Sequence, residues 1–188
     1  MRCETSPGSR LRCGVSEKEA RGVAPLDPER IVKALAAHGV SYVLVGALAA
    51  RLHGFPRLTA DMDVTPARDG ENLKRLAAAL TELHARVFTD GVPEGLPFDI
   101  SARTLSNAEI WNLVTDAGRL DVLFVPAGTD GYEDLHASAV RFEVYGTTLE
   151  AARLEDIIRS KSAADRPQDR QDVVILREML RRSGGRQG

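Results

Sequence analysis

The sequence predicts an α/β (α+β) chain built on a small mixed β-sheet flanked by helices. Segments with strand and helix character alternate along most of its length. The apolar strand-like runs are short and end at Gly or Pro, as in Ser41–Val45 before Gly46 and Val64-Thr65 before Pro66. A late Gly-turned hairpin at Gly146 follows the third strand run, which makes the sheet mixed rather than all-parallel.

Taken in order, residues 1–26 mix Gly, Ser, Pro, Arg and Glu without periodicity and read as a disordered tail. One domain is expected over residues 27–182, followed by a flexible tail at 183–188. Asp27-Pro28 is an N-cap followed by a first-turn proline, and Ile31, Leu35 and Ala36 recur at helical spacing until Gly39. Ser41–Val45 is β-branched and aromatic, a buried strand. Ala47–Leu52 is a short helix broken at Gly54-Phe55-Pro56. Arg57–Thr59 lead into a second strand through Asp61, Asp63 and Val64. Asn72–His84 is an amphipathic helix with Leu73, Leu76, Leu80 and Leu83 on one side.

Val87-Phe88 reads as a strand, Thr89–Pro97 as a Gly/Pro loop and Phe98–Ser101 as a strand. Ala108–Leu113 reads as a short turn or strand, Arg119–Val125 as a strand and Gly128–Asp134 as a loop. Val140–Tyr145 and Thr147–Ala151 form the hairpin. Leu154–Ala164 is a helix with Ile157, Ile158 and Ala164 inward, and Pro167 starts a last helix to about Arg182.

The 188 residues suffice for a substantial core, and a net charge of −2 gives no global basic field. Cys3 and Cys13 lie in the polar N-terminal stretch and make no disulfide framework or zinc spacing. No apolar run approaches the roughly 18 residues of a membrane span, and no apolar signal region opens the chain. A cytoplasmic protein is the expectation.

Chemistry concentrates on three acids. Asp61 and Asp63 are two apart on a strand and project from the same face. Two such carboxylates repel unless a cation or partner intervenes. Asp121, from another strand run, adds oxygen ligands enough for two Mg²⁺ ions, which suit carboxylates plus phosphate oxygens and can steady both ends of an in-line displacement. The Gly46-Ala47 turn offers backbone N–H groups at a helix start. Arg57 and Thr59, just upstream of the acids, are candidate phosphate clamps. A rival pattern is present: Asp61-Met62-Asp63-Val64-Thr65 matches the Asp-x-Asp-x-Thr signature of haloacid-dehalogenase-type phosphatases. That signature follows a strongly apolar strand, whereas here the acids begin the apolar run. His53 reads as a helix-end residue, Trp111 as core or a partial surface anchor, and Arg177, Arg181, Arg182 and Arg186 as a solvated helix end.

The ordered set Gly46-Ala47, Asp61-x-Asp63 and Asp121 resembles the DNA-polymerase-β-like nucleotidyltransferase superfamily, over roughly residues 28–180. The C-terminal Leu154-Glu155-Asp156-Ile157-Ile158-x-x-Lys161, then Arg166-x-x-Asp169-x-x-Asp172, is similar to AbiEii-type toxins of type IV toxin–antitoxin systems. The resemblance implies a minimal nucleotidyltransferase fold with C-terminal helices. It also implies metal ligation and catalysis by Asp61, Asp63 and Asp121, with an NTP as substrate. Gly46, Ala47, Arg57, Thr59, Lys161, Arg166, Asp169 and Asp172 would form the nucleotide site. The acceptor hydroxyl is expected on RNA, a protein or a small molecule; the resemblance points to an RNA or tRNA 3′ end and to an antitoxin protein as partner, and no membrane association is expected. Two positions depart from the pattern: Ala47 stands for the usual Gly or Ser, and Gln168 for the box lysine. A non-catalytic nucleotide-binding or interaction module of the same fold is the alternative from another class.

Overall fold

A computed structural model describes residues 23–184. The expectations for residues 1–22 and 185–188, with Cys3, Cys13 and Arg186, lie outside the described residues. The sheet has eight strands in the order β4-β3-β5-β6-β2-β1-β8-β7. These are β1 (Tyr42–Val45), β2 (Asp61–Pro66), β3 (Arg86–Thr89), β4 (Val92–Leu96), β5 (Ile110–Thr115), β6 (Gly118–Leu123), β7 (Val140–Val144) and β8 (Thr147–Ala151). β2 runs parallel to β6 and β1 parallel to β8, while the remaining neighbours are antiparallel. The mixed sheet expected from the late hairpin is the one observed.

The helices are α1 (Pro28–Ala37), α2 (Gly46–Leu52), α3 (Gly70–Glu82), α4 (Ala102–Leu105), α5 (Tyr132–His136), α6 (Leu154–Ala164) and α7 (Pro167–Gly184). Local chemistry sets their ends. The Asp27 side chain accepts from Arg30 N at 3.1 Å, ahead of Pro28. Asp69 accepts from Glu71 N and Asn72 N, so α3 begins two residues before the expected Asn72. Leu26, placed in the tail on sequence grounds, packs on the core, and Asp27 N donates to Ala117 O at 2.9 Å.

Four stretches differ from the sequence reading. The supposed Thr89–Pro97 loop contains β4, reached through an Asp90-Gly91 turn between β3 and β4 with Gly91 at φ +88°. Pro93 is tolerated because β4 is an edge strand. A register shift follows, and Gly95 (φ +75°) leaves no room for a Cβ, which would lie 2.9 Å from Arg86 Cβ. Phe98–Ser101 is not a strand: Ser101 caps α4, and Asp99 accepts from Ser101 and Thr104 hydroxyls. The Gly128–Asp134 loop gives way to α5 from Tyr132. Ala108–Leu113 resolves as β5, shifted to Ile110–Thr115.

The core is made by alternation. Met62 and Val64 of β2 and Leu120 and Val122 of β6 are all fully buried. Each such side chain contributes about 1.5–3 kcal/mol by leaving water. The intervening residues of the same strands, Asp61, Asp63 and Asp121, therefore project from the opposite face. α2 packs against β1, β2 and α6, and α6 packs against α7. These contacts bring the C-terminal helices to the acid-bearing strands. Among the described residues no helix is long and apolar enough to cross a membrane.

Candidate active site

The three acids share one face. In the parallel β2–β6 pair, Asp63 lies opposite Asp121 and Asp61 opposite Arg119. Neighbouring strands are about 4.8 Å apart, so Asp63 and Asp121 are adjacent. Their electrostatics carry the same message. The Asp63 carboxyl is pushed up to about 7, by burial first and then by the charges of Asp61 and Asp121, with Lys161 and Arg166 opposing. Asp121 is pushed up to about 6 by burial, against the pull of Arg119, with Asp61 adding to the rise. Asp121 Oδ1 is buried without a hydrogen-bond partner, although Arg119 Nη2 lies 3.8 Å away. Arg119 in turn lies over the Phe88 ring, 4.0 Å from its centroid. Arg119 had no role in the sequence reading; its signal was the alternation that places it beside Asp121.

The glycine turn meets the acids directly. Gly46 has φ +67°, and a Cβ there would lie 2.0 Å from Asp63 Oδ2. Only glycine permits both the backbone conformation and the approach. The half-buried Ala47 follows in α2, whose N-cap residue Val45 makes no side-chain capping bond.

The polar side chains near the acids divide into engaged and unengaged groups. Thr59 Oγ1 donates to Asp61 Oδ1 at 2.5 Å, so this hydroxyl orients an acid rather than standing free for phosphate. Arg57 Nη1 binds Asp172 Oδ1 at 2.6 Å. Lys161 Nζ binds Asp172 Oδ2 and Asp169 Oδ1, each at 2.8 Å. Burial works against the Lys161 charge, but the hydrogen bonds from Lys161 to Asp169 and Asp172 outweigh it and raise its pKa. Arg166, between α6 and α7, is exposed, and its charge acts on both Asp63 and Asp121. It carries no carboxylate partner among the described residues. The structure thus draws Gly46, Asp61, Asp63 and Asp121 together and sets Lys161 and Arg166 within electrostatic reach. It ties Asp169 and Asp172 to cations.

The donor chemistry of Asp61, Asp63 and Asp121 is of the kind that suits a hard divalent cation. The donors are all carboxylate oxygens, one of them buried and unpartnered, and their mutual repulsion is what a cation relieves. Among the described residues no group of three or more Asp, Glu, His or Cys side chains is placed, as it stands, to hold a metal ion by itself. An ion held here would complete its shell with phosphate oxygens and water, as Mg²⁺ commonly does.

The residues read as bland stay so. His53 Nε2 bonds Ala152 O at 2.9 Å and Trp111 Nε1 donates to Leu105 O. Arg181 and Arg182 pair with Glu178.

No family model and no curated protein matches the chain. Solved structures do. The lincosamide antibiotic adenylyltransferase LnuA, in its lincomycin-bound form, superposes with a TM-score of 0.54 at 12% identity, covering 82% of this chain and 99% of that one. TM1012 from Thermotoga maritima, provisionally named a nucleotidyltransferase, gives 0.48 at 17% identity over 85% and 97% of the two chains. The antibiotic-resistance factor ANT(2'')-Ia gives 0.46 at 20% identity over 84% and 91%. The LnuA superposition shows that the chain has a nucleotidyltransferase-like fold; the other two scores are too low to add to it. The dehalogenase-type alternative loses its footing, because Asp61 is the first residue of β2 and not a residue at its C-terminal end.

Proposed function

We propose that the protein is a metal-dependent nucleotidyltransferase that moves an NMP from an NTP to an acceptor hydroxyl and releases pyrophosphate. The observation that carries this reading is the register of Asp63 against Asp121, with Asp61 on the same face and Gly46 pressed against Asp63. The fold shared with LnuA supports it.

Asp61, Asp63 and Asp121 would hold one or two Mg²⁺ ions, which supply Lewis-acid charge to the phosphates and offset the charge that develops as pyrophosphate leaves. Thr59 fixes the Asp61 carboxylate in place. Asp121 Oδ1, unpartnered and raised towards neutrality, accepts the proton of the attacking hydroxyl. The acceptor oxygen bonds the α-phosphorus as the bond from that phosphorus to the oxygen bridging to the β-phosphate breaks. The Gly46–Ala47 turn would offer backbone N–H groups to phosphate, and Arg166, whose charge acts on Asp63 and Asp121, would add positive charge. Catalysis here is positioning and electrostatics more than covalent chemistry.

Two acceptor classes follow from different supports. The C-terminal Lys161 and Arg166-x-x-Asp169-x-x-Asp172 pattern resembles AbiEii-type toxins, which favours an RNA or tRNA 3′ end and an antitoxin partner. LnuA is an adenylyltransferase for a lincosamide, which makes a small hydroxylated molecule the second reading. The test incubates the protein with Mg²⁺ and each α-labelled NTP, with total tRNA, with lincomycin, or with neither. Label on tRNA supports the first acceptor and label on lincomycin the second. No transfer to any acceptor, in the wild type as in Asp63→Ala, would leave the non-catalytic module standing.

A further inference from the structure

Asp172 was assigned to the nucleotide site by resemblance, yet it has no surface to offer a ligand. It is 2% exposed on α7. Its Oδ1 binds Arg57 at 2.6 Å, from the segment that leads into β2, and its Oδ2 binds Lys161 at 2.8 Å, from α6. One carboxylate therefore ties α7 to two other parts of the chain, 115 and 11 residues away from it in sequence. Asp169, 8% exposed, takes a second donor of the same ammonium.

We infer that Asp172 is a positioning residue for the nucleotide: it holds Arg57 and Lys161 as a fixed cationic pair beside the acids and touches no substrate. The inference rests on the transferase reading above. Lys161 has three N–H donors, of which two are engaged, and the guanidinium of Arg57 has five, of which the Asp172 bond uses one. The side chain of Arg57 is 34% exposed, so its remaining donors reach solvent. Arg57 stands four residues before Asp61 on the segment that leads into β2, and α6, which carries Lys161, packs on α2, whose first residue Gly46 meets Asp63. Long cationic side chains lose much rotamer freedom on binding phosphate; a buried carboxylate that fixes both beforehand lowers that cost. An acidic residue thus promotes the binding of an anion, by acting through the cations it orders.

Equilibrium binding of the four NTPs as magnesium complexes to the full chain tests this. Asp172→Asn keeps the shape and removes the charge, and the tightest-bound NTP should lose at least about tenfold in affinity. Arg57→Ala should lose a similar factor. The double variant should stay near about tenfold and not reach about a hundredfold, because both changes break one arrangement. Asp172→Glu should recover part of the loss. The Mn²⁺-induced rise in melting temperature should survive in Asp172→Asn, since this side chain holds no metal. A role in folding alone would lower the melting temperature and leave nucleotide affinity intact. Wild-type affinity in Asp172→Asn, multiplicative losses in the double variant, or a vanished Mn²⁺ response would each overturn the assignment. Should Asp172→Asn not fold, Asp172→Ser, alone and combined with Arg57→Ala, carries the same non-additivity requirement. A wild type that binds none of the four magnesium–NTP complexes overturns the transferase reading, and this assignment with it.

Discussion

Two groups of carboxylates lie within one site and are treated in opposite ways. On the sheet face, Asp63 and Asp121 are raised to about 7 and about 6, and one Asp121 oxygen has no hydrogen-bond partner. On α7, Asp169 and Asp172 are at least as deeply buried, but every bond they make to Lys161 and Arg57 is between 2.6 and 2.8 Å. Burial is common to both, so it does not explain the difference. Compensation does. The α7 pair is a neutral, satisfied scaffold, and removing one partner leaves a stranded charge. The sheet group is only partly compensated: Thr59 holds Asp61 and Arg119 approaches Asp121, yet one Asp121 oxygen stays buried without a hydrogen bond and both Asp63 and Asp121 stay raised. Under the proposed function, the contrast puts the metal and phosphates where charge is least compensated.

Removing an acid from the sheet group breaks the contrast most severely. Asp63→Ala should lower label transfer by about 10²–10³-fold or more, measured in single-turnover assays, with the fold intact by circular dichroism. Retained transfer would mean that the acid face is not the reaction centre.

Gly46→Ala tests the same face through the backbone. The new Cβ meets Asp63 Oδ2 at 2.0 Å from a φ of +67°, so both strain and clash push the acid aside. The strain term alone is about 1–2 kcal/mol, or roughly 2–8 °C in melting temperature for a chain of this size. Transfer should fall by about 10²-fold. A melting temperature and transfer rate equal to wild type would remove Gly46 from the site.

The pH response sharpens the comparison. The folded pKa of Asp63 is raised above that of an unfolded Asp, near 3.9, to about 7. Between those values the folded state holds the extra proton, so this group's contribution to stability falls as pH rises through the window. In EDTA, urea unfolding should therefore show wild type losing more stability than Asp63→Asn between pH 5 and pH 8. Mg²⁺ or Mn²⁺ should restore the wild type at pH 8 and do little at pH 5. Parallel curves for the two proteins would deny that Asp63 is strained by its neighbours. The smallest expected effects are on exposed groups. Arg166→Ala should weaken magnesium–NTP binding several-fold, about 1 kcal/mol or less, without moving the melting temperature. Arg181→Ala, in a surface pair with Glu178, should change neither binding nor transfer, and stability by no more than about 0.5 kcal/mol.

The strands around the acids were legible because their signals are local. Asp-x-Asp on a strand implies a shared face, and Gly46 before a helix implies a tight turn; both needed only periodicity and glycine chemistry. The hairpin at Gly146 and the helices α6 and α7 were readable from turn residues and an N-terminal proline. The β3–β5 region was not. Its Asp90-Gly91 turn carried the hairpin signal, but Pro93 and Gly95 masked the strand that follows, because edge pairing and a bulge tolerate residues that a central strand would reject. Phe98–Ser101 has strand composition, yet Ser101 caps α4 and Asp99 accepts from the Ser101 and Thr104 hydroxyls. The pairing of Asp172 with both Arg57 and Lys161 was hidden for another reason. Which carboxylate answers which cation depends on how distant helices dock, and spacing along the chain does not report that.

The two rims of the sheet bear on how the protein behaves in concentrated solution. At one rim β4 presents Pro93, which has no N–H to lend, and a kink at Gly95; at the other β7 carries Arg141 and Glu143. An open eight-strand sheet offers incoming strands from other molecules two templates for growth, and both are blunted. Replacing Pro93 with a β-branched residue would remove that guard and invite end-to-end polymerisation, a hazard unrelated to catalysis.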